Sequence, residues 1–448
     1  MEQLNAVLGS EDNLPSCVLL VNTSEGQGQK LSKLLSTNAA FKLICTHCQA
    51  EVKATLASIV NRIQKLRNAG QLSYNDSNHS SNFGCNTNSR APNQIRIVVA
   101  GTDAYMNVVL RPYVEQFSAK PPDWQAYVKF IYIPLSCTST LAKYLSTIDS
   151  LYASFCEGLW KEFFDTKGDS PDSNEIVNKL QRYLEKCHHT VQMPIAEALI
   201  VRKDKCHLAF NSEDDSNRIS VPFIMDVRVG PIELPNVNLC SVDYDESSSS
   251  VVMGPNSPPS STSGSTDRRQ EHSPPGSPNF SANTTTSNLM SPSDNRIELI
   301  DLQLDYWHPA SLETCKEREK EKEKSFKKEI KCSLKTQFKS VLIYRLILPN
   351  KINDPHLISL TIATKEKSKK LMRIGKKNKE ESKTQLMINR LVCTTKSQSQ
   401  ALSTHIDGHE WQAVKFFQIN PLWPTHVKYL PFLIAVDEFS YSLPINIS

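Results

Sequence analysis

Through the first two hundred residues, short unbroken apolar runs alternate with longer stretches in which apolar positions recur every three or four residues. CVLLVN (17–22), FKLIC (41–45), RIVVA (96–100) and YVKFIYIPL (127–135) read as buried strands. Between them, KLSKLL reads as a short helix. Val52, Leu56, Ile59, Val60, Ile63 and Leu66 mark one helical face, and Met106, Val109, Leu110, Tyr113 and Phe117 mark another. Two more helices are expected near 151–164 and after the capping-box spacing Asp172–Glu175, the second burying Ile176, Leu180, Tyr183, Leu184 and Cys187. PIAEALIVRK opens with Pro194 and reads as a short helix with proline at its first position. Strands alternating with helices of this length predict an α/β fold, a doubly wound, mostly parallel sheet covered on both faces.

The pattern then changes. VPFIMDVRVG (221–230) reads as a strand, and IELIDLQLDYW, SVLIYRLIL, LISLTIAT, QLMINRLVCT, AVKFFQI and HVKYLPFLIAV give the second half a β-rich character. Between the halves, residues 243–295 are Ser, Pro, Thr, Asn and Gly with almost no large apolar side chains, and read as a disordered linker. The expected organisation is an α/β domain over 1–215 with a surface loop at 68–94, a strand segment at 216–242, the linker, and a β-rich domain over 296–448.

Composition narrows the function classes. The 448 residues carry a formal net charge of +4, too balanced to demand a nucleic acid partner. Twelve cysteines without a framework of spacings suggest reduced thiols. No secretory signal opens the chain, and no run approaches the eighteen or so apolar residues of a membrane span, so any membrane contact is expected to be peripheral.

The strand–turn–helix at AGTDAYM has the local shape of a phosphate cradle. It carries one glycine, Gly101, no lysine follows, and Asp103 would put a negative charge where a phosphate sits. Asp103 reads better as an ordinary helix cap, with Pro112 expected to kink the helix behind it. The turn TSEGQGQK offers Gly26, Gly28 and Lys30 but also Glu25, and fits neither phosphate motif. CTHC, Cys45 to Cys48, lies between strand and helix as a redox dithiol would; the plainer reading is a buried strand-end Cys45 and a half-exposed Cys48. As a zinc half-site it would need Cys187, His188 and His189 to converge on it. Neither G-x-S-x-G nor H-E-x-x-H occurs. The reading is a non-enzyme without a cofactor; the alternative is a small redox or nucleotide-linked enzyme using Cys45 and Cys48 or the Gly26/Gly28 turn.

Two lysine-rich segments break the second half. KEREKEKEKSFKKEIK alternates charge and reads as a solvated arm. From Lys365 to Lys383 there are nine Lys/Arg against three Glu, between two strands. Lys369, Lys370, Arg373, Lys376, Lys377 and Lys379 would then tip a hairpin loop able to meet anionic lipid or acidic peptide, or simply solvate it. Ser257, Ser273, Ser277 and Ser291 each precede proline in the linker and are candidate phosphorylation sites.

EDNLPSCVLLVNTSEGQGQKLSKLL, VKATLASIVNRIQKL, MPIAEAL, LQLDYW, TIATKEKSKKLM, RLVCT and IDGHEWQAVKFFQINPLWPTHVKYLP resemble, in order and over most of the chain, the phosphofurin acidic cluster sorting (PACS) proteins. That resemblance implies a cytosolic connector peripheral to the trans-Golgi network and endosomes. It would link membrane cargo bearing acidic clusters to clathrin adaptor complexes and pair with a WD-repeat propeller protein. On the same resemblance, the N-terminal cargo-binding region is lacking, the chain is the scaffold end, and FLIAVDEFSYSLPINIS departs from the family's C-terminus.

Overall fold

The computed structural model describes residues 4, 7–9, 14–72, 94–136, 138–165, 173–202, 218–230, 299–309, 329–347, 354–364, 382–396 and 401–435. These all belong to one compact unit, Met1–Ile232 with Glu298–Ser448. The candidate serines and the basic residues 369–379 lie outside the described residues.

The first half builds β1 (Cys17–Asn22), α1 (Gly26–Leu35), β2 (Leu43–Thr46), α2 (Gln49–Asn68), β3 (Ile95–Gly101), α3 (Asp103–Ser118), a 3-10 turn (Pro122–Tyr127) and β4 (Val128–Pro134). Then come α4 (Thr140–Ile148), α5 (Ser150–Cys156), α6 (Leu159–Asp165), α7 (Ser173–Lys186), β5 (Cys187–Pro194), β6 (Ala196–Arg202), β7 (Arg218–Phe223) and β8 (Asp226–Val229). The second half is β9 (Ile300–Pro309), β10 (Glu329–Tyr344), β11 (Ile358–Thr364), β12 (Ser382–Ile388), β13 (Arg390–Thr395), β14 (Leu402–Ile406), β15 (His409–Asn420) and β16 (Tyr429–Ala435).

The first sheet has the order β2-β1-β3-β4-β16-β5. β1 to β4 run parallel, β16 joins β4 in parallel at Phe432↔Phe130, and β5 closes the edge antiparallel to β16. The sheet is therefore mixed rather than purely parallel. The chain moves outward from β1 to β2 and then back across β1 to β3, so right-handed crossovers put α1 and α2 on opposite faces. Accordingly α2 packs with α3, and α1 with α7. β1, β3 and β4 are buried almost throughout, as their continuous apolar runs require.

The second sheet has ten strands along β12-β11-β10-β8-β14-β15-β13-β9, with β6 on β15 and β7 on β6. The long β10 pairs with β9 through its first half and with β8 and β11 through its second, which closes part of the sheet into a barrel. Its core is separate from that of the first sheet and is built from residues such as Leu304, Phe338, Leu391 and Phe417.

Several local expectations are corrected. PIAEALIVRK forms strand β6, not a helix: Ala196, Ala198 and Ile200 are buried between β15 and β7, a tertiary setting that overrides alanine's helix preference. The helix expected over 151–164 is two helices broken at Gly158, whose φ is +60°. Strand membership also crosses the expected boundaries at 215 and 296, since β6 joins the second sheet and β16 the first.

Candidate functional site

In an open α/β sheet, ligands sit outside the carboxyl ends of the strands, where the strand order reverses. Here that point lies between β1 and β3, at the turns after Asn22 and Gly101. Both turns are fixed by glycine. A Cβ on Gly28 would lie 1.6 Å from the Asn22 carbonyl oxygen, so α1 presses directly onto the end of β1. A Cβ on Gly101 would meet the Tyr105 ring at 2.3 Å.

The chain's own polar groups occupy this crest. Thr102, not Asp103, is the N-cap of α3, accepting from the Tyr105 N–H at 3.4 Å. Asp103 reaches across to the next helix instead. Its carboxylate accepts the Thr140 N–H at 2.6 Å, the Ser139 hydroxyl at 2.5 Å and the Tyr132 hydroxyl at 3.3 Å. It thereby satisfies the first turn of α4, where a negative charge also meets the favourable end of the helix dipole. At β2, the Thr46 hydroxyl and the Tyr105 hydroxyl lie 2.6 Å apart, and the Thr23 hydroxyl donates to the Thr46 carbonyl at 3.2 Å.

The α3 side of the crest is then met from the second sheet, while Ser24, Gly26 and Gln27 on the β1 side stay exposed. β14 and β15 meet in a two-residue turn, Asp407–Gly408, with φ of +47° and +78°. Positive φ at both central positions defines the hairpin turn that Asp-Gly favours. The turn seats on α3: a Cβ on Gly408 would lie 3.3 Å from the Ala104 nitrogen. Asp407 is 1% exposed. Its carboxylate accepts the backbone N–H groups of Ile224, Met225 and Asp226 at 3.0, 2.9 and 3.0 Å, and the Asn107 amide at 3.1 Å. Burial still outweighs these donors and pushes the carboxyl up to about 7. Next to it Asp226, raised by burial, pairs with Arg228, whose guanidinium also donates to the Thr140 hydroxyl at 3.0 Å. Arg111, one turn after Asn107, donates to it at 2.8 Å and stacks on Trp411 with 4.9 Å to the ring centroid.

The other sequence candidates separate in space. Cys45 is partly buried in β2 and Cys48 is exposed at the N-cap of α2. Cys187, His188 and His189 open β5 at the opposite edge of the sheet. Four strands lie between, so at about 4.8 Å per strand the two groups stand roughly 24 Å apart and cannot share a zinc ion. Among the described residues no cluster of His, Cys, Asp or Glu has metal-binding geometry. Asp407, Asp226 and Asn107 carried no role in the sequence reading; the legible signal was the Asp-Gly pair between alternating apolar positions.

The two sheets thus meet where the Asp407–Gly408 hairpin turn abuts the first turn of α3. The sequence profile of the family described as PACS-1 cytosolic sorting protein matches residues 1–75 and 83–438, and the chain belongs to this family. Phosphofurin acidic cluster sorting protein 2 of Homo sapiens is 35% identical over 97% of this chain and 46% of its own length. Phosphofurin acidic cluster sorting protein 1 of Mus musculus is 34% identical over 96% of this chain and 42% of its own. The chain thus spans about half the length of the curated relatives it matches. The profile match runs to residue 438, so part of the closing stretch set apart by resemblance lies within it. A diacylglycerol kinase from Bacillus anthracis overlays on 90% of this chain and 93% of its own, at 10% identity and a TM-score of 0.36, too loosely to define a shared fold.

Proposed function

We propose that this chain is the scaffold end of a cytosolic, non-enzymatic sorting adaptor working between the trans-Golgi network and endosomes. The single observation that supports the non-enzymatic part is the Asp407–Gly408 turn seated on the first turn of α3, on one side of the crest where an α/β sheet would hold a substrate. Membership of a family of sorting proteins supports the rest. Clathrin adaptor complexes, acidic-cluster membrane cargo and a WD-repeat propeller protein are the partners this reading assigns. β11 and β12 pair antiparallel from Ile358↔Ile388 to Thr364↔Ser382, so the basic segment between them joins two paired strands. In this reading Lys369, Lys370, Arg373, Lys376, Lys377 and Lys379 contact an anionic membrane or acidic peptide, and the Ser-Pro sites at 257, 273, 277 and 291 are phosphorylated.

Proximity labelling in cells from the intact chain tests the proposal. Enrichment of clathrin adaptor subunits and a propeller protein over a cytosolic control is expected. A list without either overturns it.

A further inference from the structure

The outer wall of the second sheet has an order that the adaptor reading does not use. Along β9, Leu302 and Leu304 point into the core, so Gln303, Asp305 and Trp307 point outward. The strand register extends that face over five further strands. Asp305 lies level with Ser333 on β10 and Val392 on β13, and the row continues through Gln418 and Leu199 to Ser220. The next row runs from Lys335 through Gln303, Thr394, Phe416 and Val201 to Arg218. Val392, Phe416, Leu199 and Val201 thus form one apolar strip, each partly exposed, in the middle of a six-stranded wall roughly 24 Å wide. One end of the wall is capped by Trp307, with the Lys331 ammonium 5.3 Å and the Arg390 guanidinium 5.0 Å from its ring centroid.

We infer that this wall is a docking surface for an anionic lipid bilayer, with Trp307 at the boundary between the apolar strip and the charged headgroups. Charge selects the occupant. Lys331, Lys335, Arg390 and Arg218 are exposed around the strip. The same face carries four acids, each with a partner: Asp305 accepts from Gln303 at 3.0 Å, Glu329 from Asn389 at 2.7 Å and Glu197 from Ser220 and Asn420 at 2.7 Å each, and Asp301 pairs with Lys396 at 3.5 Å, so the cationic character is local to the Trp307 end, where Lys331, Lys335 and Arg390 are exposed. A second copy would bring the same cations against themselves. A tryptophan ring flanked by cations beside aliphatic side chains matches the chemistry of a membrane interface, where the ring sits at headgroup level. The inference does not depend on the adaptor reading or on the basic loop.

The test uses the purified chain with Lys369, Lys370, Lys376 and Lys377 changed to glutamine, so that the loop contributes little. Co-sedimentation is measured with phosphatidylcholine vesicles and with vesicles containing about 30% phosphatidylserine, where each cation near the surface contributes about fivefold in partitioning. Binding to the anionic vesicles alone is expected, with a blue shift of tryptophan emission. Lys331→Gln with Arg390→Gln should lower the partition about thirtyfold at unchanged melting temperature. Phe416→Gln, in the middle of the strip and two strands away from Trp307, should also lower it and guards against a local defect at Trp307. Equal binding to both vesicle types, or a double variant that partitions like its parent, overturns the inference. So does failure to bind either vesicle, the outcome expected of an acidic protein partner, or a dimer that the double variant dissolves. An empty proximity-labelling result would leave the vesicle result standing, so the two readings fail separately.

Discussion

Changing Asp407 to asparagine tests the account of this side of the crest. The wild-type carboxyl is raised by burial, against its four donors, from the ordinary 3.8 to about 7. That displacement corresponds to about 4 kcal/mol between the protonation states. The sign follows from linkage. Between about pH 4 and 7 the folded chain holds this proton more tightly than the unfolded chain does, so its contribution to stability falls as pH rises through that window. Near neutrality the variant is relieved of the buried charge. It also turns an amide NH₂ toward two of the donors, since Met225 and Asp226 donate to one carboxylate oxygen and Ile224 and Asn107 to the other. Orphaned donors cost roughly 1–3 kcal/mol each, so the two effects nearly offset and the stability gap should be small at pH 7.5. At pH 5 the wild type should have gained about 3 kcal/mol that the variant lacks. Urea denaturation of both chains at intervals between pH 5 and 7.5 measures the gap. Asp149 and Asp226, also raised by burial, remain in both chains and largely cancel. Parallel stability curves would refute the reasoning.

Three further outcomes are expected. Gly28→Ala should lower the melting temperature, because forcing a Cβ against the Asn22 carbonyl costs about 2 kcal/mol or more and outweighs roughly 1 kcal/mol of helix propensity; Gly26→Ala, with open space at its Cβ, should not. ATP, GTP and NAD at millimolar concentration should give no saturable thermal shift, since Asp103 and the Gly408 turn already occupy the first turn of α3; a saturating shift with any of them would count against that reading. Deleting 247–293 should leave the melting temperature nearly unchanged, for the sequence there offers little apolar area to bury, and a fall of many degrees would show that it packs.

The four parallel strands were legible because a strand buried on both faces is written as a continuous apolar run, as in CVLLVN and YVKFIYIP. The apolar faces of α2 and α3 were legible from their 3.6-residue period. β5 was not: CHHTVQMP is an edge strand with exposed histidines, and its polarity reflects an absent neighbour rather than an absent strand. The first half of β10 went unread, its residues 329–331 closing the charged arm and 332–339 giving no strand signal, because Lys331, Ser333 and Lys335 face outward while Ile330, Cys332 and Leu334 are only partly covered. β14 was missed because LSTHI alternates over just five residues. At the crest the sequence argued against a phosphate at Asp103 and read that carboxylate as the cap of its own helix, whereas it caps the next one. A carboxylate that caps its own helix and one that caps the next helix look alike until the turns are placed.

β16 supplies a strand of the first sheet from the far end of the chain, pairing Phe432 with Phe130 roughly 300 residues earlier. On a ribosome, β1 to β4 emerge long before the strand that lies beside β4, and β5 waits for its partner β16 until residues 429–435 appear. The hydrogen-bonding side of β4 and the edge of β5 therefore lack β16 until those residues appear, a state prone to edge-to-edge association. At about 5–20 residues per second that wait lasts on the order of tens of seconds. Completion of the α/β half is thus a late, slow, non-local event, and a nascent chain stalled before residue 429 is the species a holding chaperone would meet.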